Sequence, residues 1–422
     1  MSKRRYSSVN CKRVDWRALA ARVAGKRVIV AVDVAKFDFV AAVQSAFGQT
    51  LVRVKWTHPL ETGELLAGLE RLAEAAAVLE VVMESSGVYG DALRWQLHQR
   101  GIAVYHVSAK RVHDSAEVYD GVPSLHDAKA VELIARLHWE GYTRRWVMAE
   151  EARRDLLAHA RQLRQAKQRA QAERNRLEAL LSRHWPEVIA LLGLGSATLH
   201  RLIAAYGSPG PLLVLHRQAR ALMHEVGGRW LAGEKIDAVL ASARTTLGMP
   251  CTEAERAQLR WQAEQVIAAQ REQRRAERLL ARTVAPEPRF AAMRTRIGEV
   301  TSAVLLATQG DPKDYASAAA YCKSLGLNLK EHSSGKHQGQ LAITKRGPAL
   351  ARHYLYFAAL RLIHREPTIK RWFELKTARP GAVKQKQVIE LMRKLAKAFW
   401  HQANGQAFDI ERLVNLNALP DA

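Results

Sequence analysis

Between residues 27 and 57 the apolar positions come in three short β-rich runs. Polar or glycine-containing turns separate them (RVIVAVDVAKFDFVAAVQSAFGQTLVRVKWT), a pattern that predicts a meander of adjacent strands. A helical pattern follows from Pro59 to about Ala77. VLEVVME, nearly all apolar and ending at Glu84, then reads as a buried strand. GDALRWQLHQRG has the form of a helix closed by Gly101, IAVYHVS of a further strand, and the stretch from His126 to His138 of another helix. Strands alternating with helices after an initial meander predict a ribonuclease H-like α/β fold.

The texture changes near Met148. From there to about His184 the chain is rich in Ala, Arg, Gln and Leu, without Gly or Pro, and the same texture returns between Thr252 and Arg282. Both stretches predict long helices, paired as an antiparallel coiled coil that acts as a scaffold or dimer strut. A mixed, Gly-containing helical segment occupies residues 185–250. The AlaProGluPro at 285–288 marks a boundary before a mostly helical C-terminal domain with one Gly/Ser-rich excursion, HSSGKHQGQLAITKRGP. The organisation expected is a flexible basic arm over 1–25, an α/β domain over 26–147, a helical coiled-coil region over 148–285 and a C-terminal domain over 286–422.

Charge narrows the function. Among 422 residues, 65 Lys+Arg stand against 41 Asp+Glu, a net charge of +24. Such a field attracts phosphate polymers and releases their counterions on binding, whereas a membrane surface is the weaker alternative. The run Lys370, Arg371, Lys384, Lys386, Arg393 and Lys394 is the densest candidate contact surface. Cys11, Cys251 and Cys322 are far apart, with no metal-ligand spacing, as expected of a reducing cytoplasm. No apolar run is long enough to span a bilayer, and the basic first residues lack the apolar stretch of a signal peptide.

Two groups of residues carry candidate chemistry. Asp33 sits in the middle of the first apolar strand, where a charge is costly unless it binds something. Glu84 ends the buried strand, and Asp127 opens the helix HDAKAVELIAR. In a ribonuclease H-like order the first and fourth strands are neighbours, which brings Asp33 beside Glu84 and lets a later helix supply Asp127. Converging carboxylates suit Mg²⁺. The second group is the polar loop of Ser333, Ser334 and Gly335, followed by Lys336, Lys345 and Arg346. Cations there can hold a phosphate, and an activated serine can attack one, although by composition Ser-Ser-Gly is a common flexible turn.

Taken in order, VDVAK, MESSGVYG, HDAKAVELIARL, RIGEVTSAVLLATQGDPKDY, SLGLNLKEHSSGK and ITKRGPALARHYLYFAAL resemble the insertion-sequence 110 family of DEDD-type transposases. The resemblance covers about 25–145 and 286–400, with the middle matching only as a helical spacer. It implies a RuvC-like N-terminal domain in which Asp33, Glu84 and Asp127 bind Mg²⁺, and a C-terminal transposase domain in which Ser334 attacks DNA to form a phosphoserine link. It further implies guidance by a non-coding bridge RNA that pairs with donor and target DNA. It implies a homo-oligomer, dimer or tetramer, in a prokaryotic, nucleoid-associated cytoplasm. A fourth acidic residue is expected three positions after Asp127, where this chain has Ala130. The RIGEVTSAVLLATQGD segment has Arg296 near the point where a helix-hairpin-helix usually has its first Gly. Two competing functions are a Holliday-junction-type nuclease using only carboxylates and water, and a non-catalytic nucleic-acid-binding descendant. A covalent protein–DNA adduct separates the transposase from the nuclease, and Ala130 is what keeps the non-catalytic descendant open.

Overall fold

Apolar runs without polar alternation take the middle of a sheet, because both of their faces are covered. The computed structural model describes residues 7–85, 87–284, 291–331, 339, 341–414 and 416. Its chain divides into two compact units, residues 1–149 and 150–422. The N-terminal unit contains β1 (Val9–Asn10), α1 (Trp16–Val23), β2 (Arg27–Asp33), β3 (Asp38–Ala46), β4 (Gln49–Thr57), α2 (Thr62–Ala75) and β5 (Val78–Glu84). It continues with α3 (Asp91–Gln99), β6 (Ala103–Val107), α4 (Ala109–Asp114), α5 (Ala116–Asp120), α6 (Asp127–Trp139) and β7 (Arg144–Arg145). Its strands form one sheet of order β1-β4-β3-β2-β5-β6-β7. The meander β2-β3-β4 is antiparallel, and β5 returns parallel to β2 with Val32 opposite Met83. The first strand of the meander and the strand after the first crossover are therefore neighbours, as expected.

Side chains alternate between the two faces of a strand, and in β2 and β5 the alternation divides the residues between two cores. Val28, Val30 and Val32 join Leu79, Val81 and Met83 in a cluster with Trp16, Leu65, Leu69 and Leu97 of α1, α2 and α3. Ile29, Ala31 and Val82 face the other way, into a cluster with Leu133, Ile134 and Leu137 of α6. Both faces are apolar, so a one-residue slip of either strand would cost packing fit in each cluster and would turn Asp33 and Glu84 to the other side of the sheet.

The arm expected over residues 1–25 is part of this unit from residue 7 onward. Strand β1 pairs parallel with β4, and Asp15 caps α1 by accepting from Ala18 N–H at 2.9 Å. Trp16, Leu19 and Val23, spaced for one helical face, are buried, and the Trp16 indole donates to the Cys11 carbonyl at 3.1 Å. Basic residues between these positions hide the amphipathic spacing in a count of charges.

The second unit runs through α7 (Glu151–His184), α8 (Pro186–Leu192), α9 (Ala197–Tyr206), α10 (Gly210–Val214), α11 (His216–Gly227), α12 (Gly233–Thr245) and α13 (Glu253–Val284). After these come α14 (Ala291–Ile297), α15 (Glu299–Gln309), α16 (Ala318–Ser324), β8 (Leu329–Lys330), β9 (Ala342–Ile343), α17 (Ala349–Arg365), α18 (Pro367–Thr377) and α19 (Lys384–Ala403). The long helices α7 and α13 lie antiparallel. Ala160, Leu163 and Ala166 share a core with Ala276 and Leu280, while Leu177 and Leu181 share another with Leu259, Ala263 and Val266. Where the stripe turns polar, the Gln262 amide donates to the Glu173 carboxylate at 2.9 Å. The first of these cores is also that of α14–α19, so helices on either side of residues 285–290 share packing. Among the described residues no helix is long and apolar enough to cross a membrane.

Candidate active site and nucleic-acid interface

Strand parity places the acidic residues. Asp33, the last residue of β2, has the parity of Ile29 and Ala31, and Glu84, the last residue of β5, has that of Val82. Both carboxylates therefore leave the carboxyl ends of adjacent parallel strands on the side where α6 packs, and Asp127 is the first residue of α6. There Asp127 faces the positive end of the helix dipole. Asp33 lies at the strand end, not in its middle, and is only half-buried.

Burial pushes the Asp33 carboxyl up to about 6, and the neighbouring charges of Glu84 and then Asp127 push in the same direction, against a stabilising Val34 backbone N–H. Asp33 thus feels the charge of both other acids. Among the described residues, however, no three His, Cys, Asp or Glu side chains stand in a ready-made ligand group. The donor set itself is three carboxylates, without sulfur or imidazole, which suits a hard divalent cation.

Glycine shapes the turn after β5: Gly87 has φ +55°, and a Cβ on Gly90 would stand 3.0 Å from the Arg94 guanidinium and 3.2 Å from the Met83 methyl. The neighbouring turns expose two aromatics that composition does not single out. The Lys36 ammonium lies 4.9 Å from the centre of the Phe37 ring, and Tyr89 is half exposed. An aromatic left in a polar turn was the available signal.

Sequence reasoning also missed Lys129. Its side chain is buried, and its ammonium donates to Asp120 Oδ1 at 2.6 Å and to the carbonyls of Val122 and Ser124 at 2.6 and 3.0 Å. These bonds fasten the segment that leads into Asp127, and the Lys129 N–H also donates to the capping His126 ring at 3.3 Å. Replacing Lys129 by Met keeps the volume and removes the ties. Amide exchange over residues 121–126 should accelerate, and affinity for a divalent cation should fall about 10-fold or more, as for outer-shell supports of metal sites. Unchanged exchange and affinity, measured by mass spectrometry and calorimetry, would remove Lys129 from this role.

Glu132 serves a different network. It accepts from Gln44 Nε2 at 2.8 Å, Thr50 Oγ1 at 2.7 Å and Arg53 at 2.5 Å, on the β3–β4 side. Ala130 is only 3 % exposed. An aspartate there would be desolvated, so Ala130→Asp is expected to lower stability by about 1–3 kcal/mol, measured by urea denaturation.

Ser333, Ser334 and Lys336 lie outside the described residues. The stem that carries them is described: β8 and β9 pair antiparallel, with Leu329 opposite Ile343 and Lys330 opposite Ala342. Beneath them the Thr344 hydroxyl donates to Asn328 Oδ1 at 2.6 Å and Lys345 N–H to the Gly326 carbonyl at 3.0 Å. Lys345, at φ +55°, and Arg346 are exposed at the foot of this stem. A Cβ on Gly326 would come within 2.7 Å of the Arg346 nitrogen, so only glycine fits there.

Lys370, Arg371, Lys384 and Lys386 are exposed. Arg393 and Lys394 are half-buried, and Arg393 stands near enough to the Cys322 thiol of α16 for its charge to favour the thiolate. Lys394 and Lys397 line a cavity of about 320 Å³ with His401, Phe408 and Arg412.

No curated protein matches the chain. Two family models do. The IS110-type DEDD model, described as Transposase, matches residues 30–186 and so takes in β2, β5 and the start of α6. The model described as the Transposase IS116/IS110/IS902 family matches residues 293–374, across the β8–β9 stem. The two matches together cover more than half of the chain, reaching the acidic strand ends in one unit and the stem in the other, and the protein belongs to the IS110 family of DEDD transposases, enzymes that recombine DNA.

Proposed function

We propose that this transposase cuts and rejoins DNA with a serine nucleophile, Ser334, and with Mg²⁺ held by Asp33, Glu84 and Asp127 in a RuvC-like domain. A non-coding bridge RNA would select donor and target, and the active unit would be a homo-oligomer. The observation that carries the reading is the projection of Asp33 and Glu84 from adjacent strand ends beside the start of α6, with the raised Asp33 carboxyl as its electrostatic trace. Divalent-metal dependence is usual for DEDD transposase domains. When bound, the cation would stabilise charge on the phosphate and on the leaving oxygen.

The chain's own residues would do the rest. The Ser334 hydroxyl loses its proton and attacks phosphorus; a serine P–O bond forms as a deoxyribose P–O bond breaks, and the released deoxyribose oxygen takes up a proton. The number of phosphodiester linkages is conserved, so rejoining is the same step reversed by the hydroxyl of a different DNA end and needs no ATP. Lys336, Lys345 and Arg346 would neutralise the phosphate oxygens during both steps. Lys370, Arg371, Lys384, Lys386 and Lys394 would follow the backbone of the substrate.

The test is strand exchange between donor and target DNA with purified protein and the transcript of the DNA flanking its gene. Joined product is expected with Mg²⁺ and transcript together, and none with a chelator. Recoding the transcript's pairing segments should redirect the product. Product formed equally well without the transcript would overturn the guidance, and product formed in chelator would overturn the metal site.

A further inference from the structure

A cleft of about 280 Å³ opens on the second unit, lined by residues of α9, α11 and the long helix α13. Its charged lining consists of Arg201 on α9 and Arg271 and Arg274 on α13, and no Asp or Glu lines it. All three guanidinium groups are exposed and, among the described residues, none forms an ion pair. The nearby acids of α13 are engaged elsewhere. Glu272 pairs with Arg169 at 3.2 Å, and Glu277 accepts from the Tyr354 hydroxyl at 2.6 Å and from the Gln273 amide at 2.9 Å.

The floor adds no negative charge. Ile267 supplies part of it, and His200 is completely buried. The His200 Nε2–H donates to the Leu194 carbonyl at 2.8 Å, and its Nδ1 accepts from the Gln270 amide at 3.4 Å. Burial holds the ring below its ordinary protonation range, and the Arg174 charge works in the same direction. The ring is therefore a neutral structural support, and the uncompensated charge of the cleft belongs to its arginines. Arg271 and Arg274 share a face of α13 by their i, i+3 spacing, and Arg201 comes from a second helix. Three planar guanidinium forks around one concavity match the oxygens of a phosphodiester, which they can grip in pairs.

We propose that this cleft binds the phosphodiester backbone of a nucleic acid, so that a strand passes over the helical middle of the protein. The site depends on neither the serine nor the carboxylates, and it stands if the cleavage chemistry proves different.

The experiment uses the full-length protein in chelator, so that no cleavage occurs, with binding to a short DNA duplex and to a short RNA stem-loop followed by fluorescence anisotropy across a salt series. Replacing Arg201, Arg271 and Arg274 together by Gln should flatten the log–log salt dependence by about 2.7 on at least one of the two, since each lost phosphate contact removes about 0.9 on duplex DNA. Affinity near 0.1 M salt should fall about 10- to 100-fold. A control with Arg217, Arg229 and Arg244, exposed on the same unit, replaced by Gln should move the slope much less. An effect on DNA alone or RNA alone would identify the strand. An unchanged slope on both, or one matched by the control, would overturn the proposal. If the triple variant melts below the wild type, the single variants Arg201→Gln and Arg271→Gln decide, each expected to reduce the slope by about 0.9.

Discussion

Asp33→Asn is expected to abolish strand cleavage and yet yield a more stable metal-free protein. The carboxyl is pushed up to about 6 first by burial and then by Glu84 and Asp127, so its charged form is less favourable in the folded chain than in the unfolded one. For an acid raised on folding, its stabilising contribution is complete below the ordinary carboxylate range and is lost as pH rises through about 6. At pH 8 the full shift would correspond to about 3 kcal/mol; partial solvation of a half-buried group reduces it to about 1–2 kcal/mol. Asparagine keeps the shape and removes the charge. The variant's Tm at pH 8 in chelator should exceed that of wild type by about 2–6 °C, and the gap should close toward pH 4. Adding Mg²⁺ should raise the wild-type Tm and leave the variant nearly unmoved, because a ligand stabilises only the fold that binds it. Activity should fall by about 10³-fold or more. An asparagine variant less stable at pH 8, or stabilised by Mg²⁺ as much as wild type, would mean that Asp33 is not under the repulsion described or does not hold the metal.

That combination was partly legible in the chain. Runs such as VLEVVME carry the strand assignment because continuous apolar character has one good solution beside a helix-forming stretch, a strand covered on both faces. Once β2 and β5 are neighbours, the parity of Asp33 and Glu84 follows from the alternation of side chains. What was hidden depends on partners distant in sequence. Lys129 is indistinguishable from a solvated lysine until Asp120 and two carbonyls fold around it. Glu132 resembles a candidate ligand until Gln44, Thr50 and Arg53 claim it. Arg393 counts as surface charge in any composition, and only the packing of α19 against α16 brings it near the Cys322 thiol. The division of the long helices was hidden for a related reason. Ala and Leu at helical spacing predict a buried stripe without saying which core will cover each end, and here two different cores do so.

Under the proposed serine chemistry, wild type should form a denaturant-resistant protein–DNA adduct on a nicked or suicide substrate with the matching guide RNA, and Ser334→Ala is expected to eliminate it. The sequence around Ser334 is polar, and the described strands on either side of it are tied by the β8–β9 pairing and the Thr344–Asn328 bond. Lys345 and Arg346 stand exposed at the foot of these strands, where a phosphate entering the loop would meet positive charge. A hydroxyl is a weak nucleophile unless its proton is removed or the developing charge is held, so removal of the oxygen itself should cost about 10³-fold or more in adduct formation. Ser333→Ala, next to it but not preceding Gly335, should lose far less. The alanine variant at 334 should retain Mg²⁺-dependent thermal stabilisation, whereas Asp33→Asn should lose both that stabilisation and the adduct. The adduct is lost in both variants, so the retained or lost Mg²⁺ stabilisation is what would separate the nucleophile from the metal site within one set of measurements. An adduct that survives Ser334→Ala would place the nucleophile on another residue, and cleavage without an adduct from any variant would make water the attacking group.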